Sequence, residues 1–318
     1  MNLKQLEYFV HVAELGSFSK AALVLGIAQP ALSRQVRALE VDLRETLLLR
    51  NGRGVELTEP GRRLLEHGVA ILQQMARARE DIVSGRDEPA GAIVIGLPPS
   101  IGRQLTLPLI DAVRRRLPRA RLSVVEGLSA HITEWILTGR VDLGLVHNPG
   151  PEPALETTPV LAEDLCLITR REDEVERHAR RRPLKLRELP GRPLIVPERS
   201  HTMRKLLEAQ AALAGIKLEV AWEVSSIPSI IDLVCAGYGN AVLSASAVNA
   251  SGRAAELAVR PLVEPRLTSV LCLAASATRR ATPLQRQAAQ LLTELVAALP
   301  ADDGRLPGAS RGPHAKAR

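Results

Sequence analysis

The sequence predicts a mixed α/β chain, with a winged helix-turn-helix at its start, one long helix after it, and a two-lobed α/β domain over the remaining residues. Three observations carry this. Two short apolar-striped helical patterns meet at Gly26 and are followed by an Asn51-Gly52 hairpin signal. A stripe with alternating spacings of four and three runs from residue 65 to residue 83. Beyond residue 91, strand and helix patterns alternate in two successive series. At 318 residues the chain is long enough for several cores joined by linkers.

The first helix lies in MNLKQLEYFVHVAELG, with Leu6, Phe9, Val10 and Ala13 on one side and without the basic-then-apolar layout of a signal peptide. In SFSKAALVLGIAQPALSRQVRALE, Phe18, Ala21, Ala22 and Leu25 form the next stripe, Gly26 permits the sharp turn, and Ile27 plugs the crossing. Pro30 suits the first turn of the third helix, along which Leu32, Val36, Leu39 and Leu43 repeat on one face. The opposite face begins with Gln29, Ser33 and Arg34, side chains able to bond base edges or phosphates, with Arg37 one turn on to anchor the backbone. LLLRNGRGVELT then reads as a wing with Arg50 and Arg53 at its tip. The alternative is a plain helical bundle with solvated Arg and Gln; the wing and the long helix tip the balance toward DNA.

Thr58 is placed to cap that long helix and Pro60 falls in its first turn. Leu65, Val69, Leu72, Ala76, Arg79 and Val83 form a coiled-coil seam, with Arg79 the discordant member. Leu64, Ile71, Met75, Ala78 and Ile82 add a neighbouring apolar stripe. So much apolar surface predicts packing on the chain's own head and on a partner, giving a dimer that presents two recognition helices to two half-sites.

LKQLEYFVHVAELGSFSKAALVLGIAQPALSRQVRALE, LLLR and GRGVELTEPGRRLL together resemble the N-terminal signature of LysR-type transcriptional regulators. The likeness continues through GAIVIGLPPS, PLIDAVRRRLP, GRVDLGLVH and LVCAGYGNAVL, and looks closest to the nitrogen-assimilation-control-like branch. By this resemblance residues 30–43 form the recognition helix, Gln29, Pro30, Ser33, Arg34 and Arg37 fall on its DNA-facing positions, and Arg50 and Arg53 on the wing. The resemblance also implies promoter or operator duplex as the partner, a homodimer or homotetramer, and room for contact with RNA polymerase. Two positions depart from the family pattern: Arg44 stands where a helix-ending glycine is common, and Leu48 replaces the usual phenylalanine.

After the linker GRDEPAG, strands are expected at 92–97, 121–126 and 142–147 with helices at 103–117 and 129–138. A second series has strands near 165–169, 194–196, 218–222 and 241–244 and helices near 202–214 and 227–236. This order predicts a largely parallel sheet and two lobes, with crossings near 162–164 and 264–267 before strand 269–273 and helix 283–299 rejoin the first lobe. The arrangement is similar to the family's effector domain, built like a periplasmic binding protein. The expected division is a DNA-binding head at 1–58, a linker and dimerisation helix at 59–88, and an effector domain at 89–300. Within the last, lobe I takes 89–162 and 267–300 and lobe II takes 163–266; a disordered tail follows at 301–318.

Ligands in such folds sit beyond the carboxyl ends of strands, between lobes. Ser100, Ser129, Ser200 and the pair Ser225 and Ser226 all stand at strand-to-helix junctions, where helix N-terminal amides can bind an anion, and His147 ends a strand facing the same cleft. Each serine could instead be a simple N-cap worth about 1 kcal/mol. The cleft therefore suits a small anionic effector, while the nitrogen-control-like resemblance leaves an effector-independent regulator open.

Other functions find little support. Aromatics make up 2% of the residues, which removes most stacking platforms for single strands or sugars. The net charge of +7 lies largely in the run 177–187 and in Arg305, Arg311, Lys316 and Arg318, read as solvated surface. Cys166, Cys235 and Cys272 are widely spaced in apolar stretches, as buried thiols in a reducing cytoplasm would be. The uncharged run 233–252 carries too many polar groups to sit in lipid. Gly127-Leu128-Ser129-Ala130-His131 approaches a nucleophile elbow, but His131 replaces the second glycine and no acid-then-histidine order follows; GYGNAV lacks the third glycine of a dinucleotide fingerprint. No spacing of His, Cys, Asp and Glu suggests a metal. The expectation is therefore neither an enzyme nor a metal or cofactor protein. The competing class is a small-molecule-binding scaffold whose head makes only protein contacts.

Overall fold

The computed structural model describes residues 1–51, 54–83, 89–173 and 182–299, and the side chains of all of these except 50, 77 and 79–83. Arg53, the side chains of Arg50, Arg79, Ile82 and Val83, most of the linker at 85–91, residues 177–181 of the basic run and the 301–318 tail lie outside the described residues. The chain divides into two compact units, the first made of Met1–Gly91 with Thr138–Arg140 and the second of the remaining described residues. No described helix is long and apolar enough to cross a membrane.

In the first unit, α1 (Leu3–Leu15) opens with a capping box between Asn2 and Gln5 and ends on Gly16 in the left-handed region. Ser17 caps α2 (Phe18–Leu25), Gly26 ends it at φ 65°, and α3 (Gln29–Leu43) follows with Pro30 in its first turn. Phe9, Val12, Phe18, Ala21, Leu32, Val36 and Leu39 close the core between the three helices. Arg44 reaches the same left-handed cap a glycine would, at φ 56°, with its N–H turned back to the Glu40 and Val41 carbonyls. The helix exit is thus kept despite the substitution, at the steric cost an L-residue carries there. Leu48 is buried in the core.

The wing is the antiparallel pair β1 (Leu48–Asn51) and β2 (Gly54–Leu57), with Leu48 opposite Leu57 and Asn51 opposite Gly54. It docks on the corner between α1 and α2, where Val55 N–H donates to the Gly16 carbonyl at 3.0 Å and the Val55 and Leu57 side chains pack on the head's core. A Cβ on Gly54, at φ 147°, would stand 2.8 Å from that same oxygen, so glycine is required. Thr58 caps α4 (Glu59–Val83) as its position suggests, its hydroxyl accepting from Gly61 N–H at 3.1 Å and donating to the Thr46 carbonyl at 2.6 Å.

Leu64, Leu65, Val69 and Leu72 of α4 pack on the head's core, whereas Ile71 is exposed. The leading residues of the expected seam are therefore used within the chain. A stripe spaced by three and four reads the same whether the surface it meets belongs to its own chain or to another.

The second unit contains β3 (Gly91–Leu97), which starts one residue inside the first, then α5 (Pro99–Arg116), β4 (Ala120–Glu126), α6 (Ser129–Thr138), β5 (Leu143–His147) and β6 (Leu155–Arg170). It continues with β7 (Leu184–Lys185), β8 (Leu194–Val196), α7 (Thr202–Leu213), β9 (Val220–Glu223) and α8 (Ile227–Cys235). β10 (Ala241–Ser244), α9 (Ala245–Ala250), β11 (Leu257–Val263), β12 (Thr268–Ser276) and α10 (Pro283–Ala297) complete it. The large sheet runs β4-β3-β5-β12-β6-β11-β7, with β10 also on β6, while β8 and β9 form a parallel pair of their own.

The expectation of a largely parallel sheet is corrected. β3–β5 and β11–β7 are parallel, but β12 is antiparallel to both β5 and β6, and β10 and β11 are antiparallel to β6. The cause is β6, expected only at 165–169. It is one strand of 16 residues whose first part pairs with β12 and whose last part pairs with β10 and β11, so the crossing is made by an unbroken strand rather than by a loop. β7, β11 and α9 were not expected; β11 alternates poorly and contains Pro261. The two largest cores lie on either side of the crossing: one joins Ile95, Leu105, Leu109, Leu145 and Leu292, and the other joins Leu167, Ile195, Leu207, Ile230 and Leu243. A smaller one joins Ile132, Ile136, Val141 and Val146.

Candidate functional site

The α3 face is built by the head's core, which buries Leu32, Val36 and Leu39 and turns the other side outward. Gln29, Pro30, Arg34 and Arg37 are exposed and Ser33 is half-buried. Ala28 at the N-cap offers no capping side chain, so the positive end of α3 is open beside Gln29. The main chain of Arg50 pairs with Val55 in the wing. Glu40, which the residue pattern did not single out, ties the two parts together: its Oε1 accepts the Leu47 and Leu48 N–H groups at 2.9 and 3.2 Å, linking α3 to the strand that enters the wing. A lone glutamate on a helix carries no sequence signal for such a role.

In the second unit a cavity of about 300 Å³ is lined by all six residues expected at the cleft, Ser100, Ser129, His147, Ser200, Ser225 and Ser226. Four helices begin at its wall: α5 after Pro98, α6 at Ser129, α7 after His201 and α8 after Ser226. α5 starts at Pro99, earlier than the expected 103, because Pro98-Pro99 supplies a ready-made first turn; Ser100 thereby falls inside the helix.

The N-cap alternative for the serines does not describe their contacts. Ser226 occupies the cap position of α8 but makes no side-chain capping bond, and α7 is capped by His201, whose Nδ1 accepts Met203 N–H at 3.3 Å, and not by Ser200. Ser129, buried at the start of α6, accepts the His147 N–H at 2.9 Å across the sheet edge. The lining also includes residues that the sequence did not single out, His201, Thr202 and Met203 beside Ser200 and the apolar Pro98, Leu128 and Ile227 beside the other serines; their only signal was adjacency to those hydroxyls.

Burial, with the nearby His201 adding to it, lowers the pKa of His147 to about 4, so its ring is neutral at ordinary pH. His201 is lowered too, by its own burial, with Glu198 opposing. Among the described residues no Lys, Arg, Asp or Glu lines the cavity. Its chemistry is that of hydroxyls, imidazole and helix N-terminal amides beside apolar walls, which fits an oxygen-rich head on a small organic molecule. Among the described residues no group of His, Cys, Asp or Glu could hold a metal ion.

The chain is similar to known proteins along both units. Residues 3–62 match the family described as bacterial regulatory helix-turn-helix protein, lysR family, and residues 86–297 match the LysR substrate binding domain. The nitrogen assimilation regulatory protein nac of Klebsiella aerogenes is 30% identical over 297 residues, which is 93% of this chain and 95% of that protein. The HTH-type transcriptional regulator BbuR of Bordetella bronchiseptica is 29% identical over 92% of this chain and 88% of its own length. Among solved structures, a full-length OxyR variant from Pseudomonas aeruginosa superposes with a TM-score of 0.70 at 23% identity, covering 98% of this chain and 99% of that one. Full-length CbnR in complex with its target DNA superposes with a TM-score of 0.68 at 24% identity, covering 93% and 100%.

Proposed function

The chain belongs to the LysR family of DNA-binding transcriptional regulators, and from this premise we propose how its residues divide the work. The head at 1–58 reads duplex DNA, the helix at 59–88 joins two heads, and the domain at 89–300 binds an effector. Gln29, Ser33 and Arg34 enter the major groove from the open end of α3 and supply much of the sequence preference, Pro30 faces the DNA beside them, and Arg37 and the wing's Arg50 and Arg53 contact phosphates. The observation that carries this reading is the first two turns of α3, which present Gln29, Pro30 and Arg34 to solvent with no capping side chain over the helix's positive end.

A dimer is supported by the apolar residues of α4 that the head does not cover, led by Ile71. Ser100, Ser129, His147, Ser200 and Ser226 hold a small anion in the cavity, and its binding changes how the two lobes close and, through them, how far apart the two heads stand on a promoter, which alters access by RNA polymerase.

The test is direct. The purified full chain is titrated against a labelled fragment of its own upstream region at rising salt. Affinity should fall steeply and log-linearly, because each phosphate contact releases a counterion. An absence of binding at low salt, or binding indifferent to salt, would remove the DNA-reading role from α3.

A further inference from the structure

The deepest polar group of the cavity is His147, 6% exposed, and its Nε2 is buried with no hydrogen-bond partner among the described residues. An unpaired buried nitrogen costs stability unless a ligand satisfies it. What kind of ligand depends on which ring nitrogen carries the proton, and the hydrogen bonds behind the ring decide that. Val270 N–H donates to Asn148 Oδ1 at 2.7 Å, which orients the amide so that Asn148 Nδ2 donates to Ser269 Oγ at 3.3 Å. Ser269 is 2% exposed, and its Oγ lies 3.2 Å from His147 Nδ1. Having accepted from Asn148, the hydroxyl turns its own proton toward Nδ1. The ring is neutral, so its single N–H is on Nε2. On the other side Ser129 Oγ accepts the His147 main-chain N–H, which leaves the Ser129 O–H to donate as well.

We propose that His147 is a fixed Nε2–H donor and that the ligand it selects is a singly charged carboxylate with a short apolar body, a proposal that rests on reading this cavity as the effector site. Four helix N-termini favour a negative group there. With no cationic side chain in the lining among the described residues, a second negative charge would be desolvated without a counter-charge, which disfavours dicarboxylates and phosphate. Pro98, Leu128, Met203 and Ile227 supply the apolar wall.

Two measurements on the full chain test this. Long-range proton–nitrogen NMR of protein labelled with ¹⁵N-histidine, with the His147 signal assigned by its loss in His147→Gln, should show protonation on Nε2 at neutral pH and a shift toward mixed tautomers in Ser269→Ala. Protonation on Nδ1 in the wild type would overturn the assignment. In calorimetry, butyrate, hexanoate and cyclohexanecarboxylate should bind at least about tenfold more tightly than succinate or inorganic phosphate. His147→Phe should lose about tenfold in affinity for the monocarboxylates, while His147→Gln, whose amide N–H replaces Nε2–H, should stay within about threefold. Anions that bind equally well with one or two charges, or equally well to His147→Phe, would overturn the proposal and leave the cavity an effector site. If none of these anions binds, the effector reading falls together with the ligand class, while the NMR result still stands or falls by itself.

Discussion

Changing Gly61 to alanine sets two kinds of reasoning against each other with opposite signs. Gly61 lies in the first turn of α4 with an ordinary helical backbone, so helix propensity alone makes Gly61→Ala stabilising by about 1 kcal/mol. In the folded head, however, a Cβ at this position would stand 2.1 Å from the Leu47 carbonyl oxygen and 3.0 Å from Leu57 Cδ2. The first neighbour is main chain, which no rotamer change can move, and relief requires a displacement of about 1 Å. Leu47 O accepts the Thr58 N–H at 3.0 Å and shares the Thr58 hydroxyl proton, at 3.1 Å, with the nearer Thr46 carbonyl, and that hydroxyl caps Gly61 N–H. Weakening two such hydrogen bonds at about 1 kcal/mol each, with about 1 kcal/mol for the cap, outweighs the propensity gain and leaves a net loss of about 2 kcal/mol. Native-state hydrogen exchange reads this locally without assuming that a multidomain chain unfolds in one step. Amides of α1 and α3 should open roughly 30-fold more often in the variant, and amides of α10 should be unchanged. Protection in the head equal to or greater than wild type would refute the close approach of α4 to the wing.

Three further outcomes are expected. Arg34→Ala should cost about 1 to 3 kcal/mol on a cognate site and less on random duplex in an equilibrium binding assay; equal losses on both would make Arg34 a phosphate anchor. Ser100→Val should abolish an effector's influence on operator binding while basal affinity persists; Ser129→Val should do the same and also lower stability by about 1 to 3 kcal/mol, since the His147 N–H loses its acceptor. An effector response intact in both variants removes these hydroxyls from the site. Because the folded pKa of His147, about 4, lies below its unfolded value of 6.5, the unfolded chain binds more protons in this range. Roughly 3 kcal/mol of stability present above pH 6.5 is therefore lost as the pH falls toward 4. Urea unfolding monitored through the second unit should show this acid loss in wild type and a flatter profile in His147→Gln; parallel profiles would mean that the ring is not buried in its neutral form.

The head was the most legible part of the chain because its signals are local. Gly26 marks a helix end, Thr58 marks a cap, and the three- and four-residue spacings of Leu32, Val36 and Leu39 mark a buried face. Glu40 was invisible, since its partners are the main-chain N–H groups of Leu47 and Leu48, and no side-chain pattern records them. In the second unit the hydroxyls after each strand could be picked out one at a time, but their gathering around one cavity, and the capping of α7 by His201 instead of Ser200, depend on long-range placement. The length of β6 and the antiparallel partners of β12 escaped for the same reason: alternation along one strand says nothing of which neighbour it will meet, or in which direction.

Local periodicity, capping residues and turn glycines were enough to determine the helices and wing of the head and most helices of the second unit, and that the third helix would leave Gln29, Arg34 and Arg37 outside the core, because each follows from contacts within a few residues. Tertiary structure alone decided that part of the α4 stripe is covered by the chain's own head, that one strand carries the chain from lobe to lobe, and that Asn148 and Ser269 set the proton of His147. Those outcomes depend on groups as much as 122 residues apart meeting in three dimensions, where the hydrogen bond of one fixes the donor or acceptor role of the next.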